Sequence, residues 1–167
     1  MTATARRAAA MPPTLTLTEA TVTVTLRDAA LFEAPWIGDP LTSPGAATAV
    51  AVDVIGRRAT ESVLCLFLDA RYRVSGYAEV ARGTLNSASL RPRDVLTPAL
   101  LSGAAAVIIA HNHPSGETSP SRADRLVTTA LRDACRLVGV VLLDHVIVTA
   151  TGASYSFRAA EGWEERS

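Results

Sequence analysis

The sequence predicts an α/β fold, an α+β sandwich in which a mixed β-sheet is flanked by helices. Three observations predict it. Two near-continuous apolar runs of strand length, SVLCLFLD (62–69) and AAAVIIA (104–110), read as buried strands. A long helical pattern follows the second run: Ala123, Leu126, Val127, Ala130, Leu131, Ala134, Leu137 and Val138 recur at i, i+3, i+4, i+7. After that helix, VVLLDHVIVTA (140–150) and SYSF (154–157) supply two further strands around a Thr151-Gly152 turn.

In chain order, residues 1–13 are small and polar and end on Pro12-Pro13, as expected of a disordered lead. TLTLTEATVTVTL (14–26) alternates threonine with Leu or Val and predicts a strand or hairpin. APWIGDP (34–40) is rich in turn residues, which places the boundary between an N-terminal extension, 1–39, and the main domain, 40–165. Ser43-Pro44 has the form of an N-cap with proline at the first helical position, opening a helix toward Arg57-Arg58. VSGYAEVA (74–81) is the antiparallel partner of 62–69. RPRDVLTPALLSG (91–103) is a short helix ended by Gly103, and Gly139 ends the long one. HNHPSGETSP (111–120) reads as a loop dense in Pro, Gly, Ser and Thr.

The 167 residues fit one domain of about 50–250 residues. Sixteen basic residues, all arginine, balance 16 acidic ones, so the whole chain lacks the electrostatic footprint of a generic nucleic-acid or anionic-membrane binder. Cys65 and Cys135 lie among apolar residues with no metal-ribbon spacing and are expected as buried free thiols. No apolar run approaches the ~20 residues of a membrane span, and the first residues lack an apolar signal core. The expectation is a cytoplasmic protein.

The chemistry-bearing stretch is His111-Asn112-His113-Pro114, followed by Ser121 and Asp124. Residues i and i+2 of an extended segment point the same way, so His111 and His113 can aim at one point if strand geometry persists through Asn112. Asp124, in the first turn of the next helix, can supply a third arm. Two imidazoles, one carboxylate and an open position form a catalytic-zinc ligand set. Paired loop histidines are also often mere polar loop residues, and Ser121-x-x-Asp124 also has the form of a capping box. The two roles are compatible, Ser121 capping the helix while Asp124 faces a metal. A hydrolytic zinc site further needs a base, and spacing alone leaves Glu61, Glu79 and Glu117 open.

The run H-N-H-P-S-G-x-x-x-P-S-x-x-D closely resembles the JAMM motif of the MPN (JAB) metalloprotease superfamily, in its RadC-type bacterial form. The resemblance covers about Ser43 to Trp163 and includes ESVLCLFLDARYRV, ARGTLNSASLRPRDV, AAAVIIAHNHPSG and LLDHVIV in the RadC order. It implies an MPN/JAB-like (deaminase-like) core and one Zn2+ per chain held by His111, His113 and Asp124 with a water. It also implies Glu61 as the base that takes that water's proton, and Ser121 as a residue stabilising the tetrahedral intermediate. None of these motif positions is lost, which favours an enzyme acting on peptide or amide bonds of a peptide or protein substrate.

Full-length RadC proteins carry an N-terminal helix-hairpin-helix region, whereas this chain has the Thr-rich segment instead. The competing expectation is a nucleic-acid-associated accessory protein, for which a mild excess of arginine between Arg57 and Arg136 is the sequence support. Asp144-His145 reads equally as a partner of the site or as a hydrogen-bonded core pair. Asn86 and Ser87 read as groove or turn residues, and Arg82 as a sheet-edge cation or a substrate-positioning one.

Overall fold

The structure is a computed structural model, and it describes residues 35–41, 43–83 and 90–163. The expected lead and Thr-rich strand or hairpin, and Asn86 and Ser87, lie outside the described residues.

Ser43 caps the first helix, α1 (Pro44–Ala51), its hydroxyl accepting from Ala46 N. The helix runs on into a π-helical turn, Val52–Gly56, so the expected single helix to Arg58 is regular only over its first two turns. The apolar run 62–69 forms β1 (Ser62–Leu68), which pairs with the antiparallel β2 (Val74–Arg82). After α2 (Pro92–Leu101) come β3 (Ala106–Asn112), α3 (Arg122–Leu137), β4 (Val141–Val148), β5 (Ser154–Ser156) and a short α4 (Phe157–Glu161). Gly103 and Gly139 follow the ends of α2 and α3 with φ of 68° and 73°, left-handed positions that an L side chain resists.

The sheet order is β2-β1-β3-β4-β5. β1 is antiparallel to β3, β3 parallel to β4, and β4 antiparallel to β5, which makes the mixed sheet the sequence predicts. One face of the sheet packs Leu64, Leu66, Ile108, Ala110, Val146 and Val148 against α1. The other packs Val63, Cys65, Val107, Ile109 and Leu142 against Leu96 of α2 and Val127, Leu131 and Cys135 of α3. Both cysteines are buried and free, as expected. β3, α3 and β4 form a crossover unit. The C-terminal end of β3 and the N-terminus of α3 therefore meet at one end of the sheet, beside its central strand, where such folds build sites.

Three local expectations are corrected. The strand 104–110 is displaced by two residues, so His111 and Asn112 belong to β3 and not to the loop. Both are fully buried, and their polar atoms are satisfied by side-chain bonds that local sequence does not reveal. In α3 the buried face is Asp124, Val127, Thr128, Leu131 and Cys135, while Leu126 and Leu137 are 52% and 86% exposed. The helix is turned so that two polar side chains reach the site. Phe157 opens α4 and does not extend β5, because Ser156 accepts from Ala159 N and caps a helical turn there.

Candidate metal centre

β3 carries His111, with His113 just beyond its last residue, to the C-terminal end of the central strand, on the face covered by α3. Ser121 caps α3 by accepting from Asp124 N at 3.1 Å, and Asp124 Oδ2 accepts from Ser121 N at 2.7 Å. The capping box is therefore present, and it fixes the Asp124 carboxylate beside the imidazoles. His111, His113 and Asp124 offer ligand atoms that all lie within 4.8 Å of one another. His111 Nε2 is 2.9 Å from His113 Nε2 and 3.3 Å from Asp124 Oδ1, and His113 Nε2 is 3.8 Å from Asp124 Oδ2. Ligands about 2.0–2.1 Å from a tetrahedral ion stand roughly 3.3 Å apart, so the spacing suits one.

The hydrogen bonds behind these atoms fix which nitrogen each ring turns toward the centre. Thr128 Oγ1 lies 2.6 Å from the Asp124 carbonyl, which can only accept, so the single hydroxyl proton goes there. Thr128 must then accept from His145 Nδ1, also at 2.6 Å. Burial first, and His111 next to it second, push the His145 imidazole well below its ordinary range, so it is neutral and its Nε2 bears a lone pair. That lone pair accepts from His111 Nδ1–H at 2.8 Å, which turns His111 Nε2 toward the centre as the nitrogen that bears the lone pair in the neutral ring. His113 Nδ1 is 2.7 Å from the Glu117 carbonyl and so donates, which likewise turns its Nε2 toward the centre.

With both imidazoles neutral, as metal ligands must be, two lone pairs converge beside the Asp124 carboxylate. Burial opposes ionisation of Asp124, but His111 and then the Ser121 contacts outweigh it and hold its carboxyl well below the usual carboxylate range. Two imidazole nitrogens and a carboxylate oxygen converging in this way are a site for a cation. The donor set, two imidazoles and a carboxylate, is the chemistry of a borderline divalent metal.

His145 and Thr128 were not legible as ligand supports from spacing, and neither was the Glu117 carbonyl. The DH pair in a strand was the one available signal, and its two members divide the work. His145 stacks on Phe157 at 4.8 Å and orients His111. Asp144 accepts from His145 N, Arg158 N and the Ser156 hydroxyl, and so pins the β5–α4 turn to β4. Thr128→Val removes the acceptor that sets the His145 tautomer. It is expected to weaken divalent-metal binding roughly 10–100-fold with the fold intact, measured by competition with a chromophoric chelator.

Of the three glutamates, Glu117 is exposed on the loop. Glu79 is bound to Arg82 at 2.8 and 3.0 Å and to Arg58 at 2.5 Å. Arg82 is accordingly a cation at the sheet edge. Glu61 directly precedes β1. Val63 pairs with His111, so Glu61, two residues before Val63, lies at the same end of the sheet as His113.

A family model for the RadC-like JAB domain matches residues 41–163. The chain belongs to the RadC-like JAB family. A UPF0758 protein of Nitrosococcus oceani is 48% identical over 120 residues, covering 72% of this chain and 53% of that protein. A UPF0758 protein of Chromobacterium violaceum is 46% identical over 134 residues, covering 80% of this chain and 59% of that protein. The chain spans about half the length of such relatives. Among the described residues of this RadC-like chain, no helix is long and apolar enough to cross a membrane.

Proposed function

We propose that this RadC-like domain is a zinc-dependent hydrolase of peptide or amide bonds, with a peptide or protein as substrate. The observation that carries the reading is the convergence of His111 Nε2 and His113 Nε2 with Asp124 beside them, at the end of the sheet where Glu61 leads into β1. His111, His113 and Asp124 would hold the metal. A zinc ion in such a set supplies Lewis acidity, which polarises a carbonyl and acidifies water.

The chain's own residues supply the rest. The Glu61 carboxylate takes a proton from the attacking water and returns it to the leaving nitrogen. The Ser121 hydroxyl spends a lone pair on Asp124 N, which keeps its hydrogen for an oxygen that becomes anionic during attack. Asp124 stays ionised beside the two imidazoles and provides the negative charge a dication requires. The buried, unlinked Cys65 and Cys135 fit the reducing environment of the cytoplasm, where we place the protein.

The test is a peptide library, read by mass spectrometry, incubated with the zinc-loaded chain. Cleavage that 1,10-phenanthroline abolishes and added zinc restores is the expected result. Cleavage that survives complete metal removal, or none from a fully zinc-loaded chain across a diverse library, contradicts the reading.

A further inference from the structure

Asn112 stands between the two candidate ligands, yet strand alternation turns its side chain away from them. It is fully buried, and its amide is engaged with a single short stretch of chain. Oδ1 accepts from Ser62 N at 2.7 Å, and Nδ2 donates to the carbonyls of Arg58 and Thr60, both at 3.2 Å. These bonds span 50 to 54 residues of sequence. The residues immediately before and after Glu61 are therefore fastened to the strand that carries His111 and His113. The Glu61 carbonyl itself is held by Gly83 N at 2.8 Å. Residues 57–61 lie between the π-helical turn and β1 and belong to no helix or strand, so these bonds determine where they sit.

We propose that Asn112 is the positioning residue for Glu61: it sets the distance between the general base and the metal ligands by tying the base's backbone to the ligand strand. The proposal rests on the reading of Glu61 as the base. The geometry asks for two donors and an acceptor in one planar group of fixed reach. Asparagine meets that need. Aspartate has no donor and would set an oxygen against two carbonyls, and serine is too short to span both sides. A base must stand within hydrogen-bond reach of the proton it takes, and a misplacement of about 1 Å can cost on the order of 10²-fold in rate. The ligands do not need Asn112, because the sheet register, His145 and the Glu117 carbonyl hold them.

The experiment compares the full chain with Asn112→Ser, Asn112→Asp, Glu61→Gln and the Asn112→Ser/Glu61→Gln double variant. Each is assayed for zinc by elemental analysis. Each is then loaded with Co(II), and its visible absorption is titrated with pH. The expected results are near-stoichiometric zinc throughout and a titration midpoint in Asn112→Ser displaced by about one pH unit or more toward that of Glu61→Gln. In the Glu61→Gln background the Asn112 change should add nothing. Asn112→Asp, which keeps the side-chain size, should behave like Asn112→Ser and serves in its place if the shorter side chain does not fold.

An Asn112 titration that overlays the wild type overturns the proposal. So does a shift of equal size with and without Glu61, or metal loss in both Asn112 variants. A Glu61→Gln titration identical to wild type refutes the base reading itself, which is a separate failure and removes the ground on which the proposal stands.

Discussion

Glu61→Gln is expected to retain one zinc per chain and its fold while losing about 10²–10⁴-fold in hydrolysis, the usual contribution of a positioned general base. The metal is retained because Glu61 is not among the three side chains that converge at the centre. The loss is large because no neighbour can substitute. The Arg82 hydrogen bonds, working against partial burial and aided by Arg58, pull the Glu79 carboxyl down to about 2. A carboxylate so tied is a poor proton acceptor near neutral pH. Glu117 offers the centre its carbonyl, which is occupied by His113. Wild-type turnover by metal-replete Glu61→Gln would contradict the assignment.

Asp124→Asn is expected to abolish stoichiometric zinc binding and to change the acid limb of stability. The amide carbonyl can still accept from Ser121 N, so α3 keeps its cap, but the centre loses its anionic ligand and only two imidazoles remain. The sign for stability follows from the lowered Asp124 carboxyl. A carboxyl held low in the fold contributes stability that is present above its unfolded value, near 3.8, and is lost as pH falls below that range. Metal-free Asp124→Asn should therefore be less stable than metal-free wild type at neutral pH, with the gap closing in acid. Urea melts at neutral and acid pH check this. A gap that widened in acid would reverse the assignment of Asp124 as a buried anion.

The layered fold was legible because its strands are buried on both faces and so read as unbroken apolar runs, as in Ser62–Leu68. The cluster that could hold a metal was legible because His111, His113 and Asp124 lie within 14 residues of one another in a recognisable spacing. The sequence was misleading where a polar residue is buried for the site's sake. His111 and Asn112 ended the apparent strand early although β3 runs through them. Asp124 and Thr128 occupy the inner face of α3, so the hydrophobic periodicity favoured the wrong side and counted Leu126 and Leu137 as core. The supports were out of reach for a different reason. His145 meets His111 across 34 residues, and Asn112 meets Thr60 across 52, contacts that only the sheet register creates.

The central claim is that the two imidazole lone pairs and the Asp124 carboxylate exist to hold one metal ion. Elemental analysis of purified wild type beside His113→Ala tests it most directly. His113 is partly exposed and lies beyond the end of β3, so its truncation leaves the core untouched. Close to one zinc per wild-type chain, and little in folded His113→Ala, is the predicted result. Folded wild-type protein that takes up no zinc after reconstitution, or His113→Ala that holds as much as wild type, would contradict the claim.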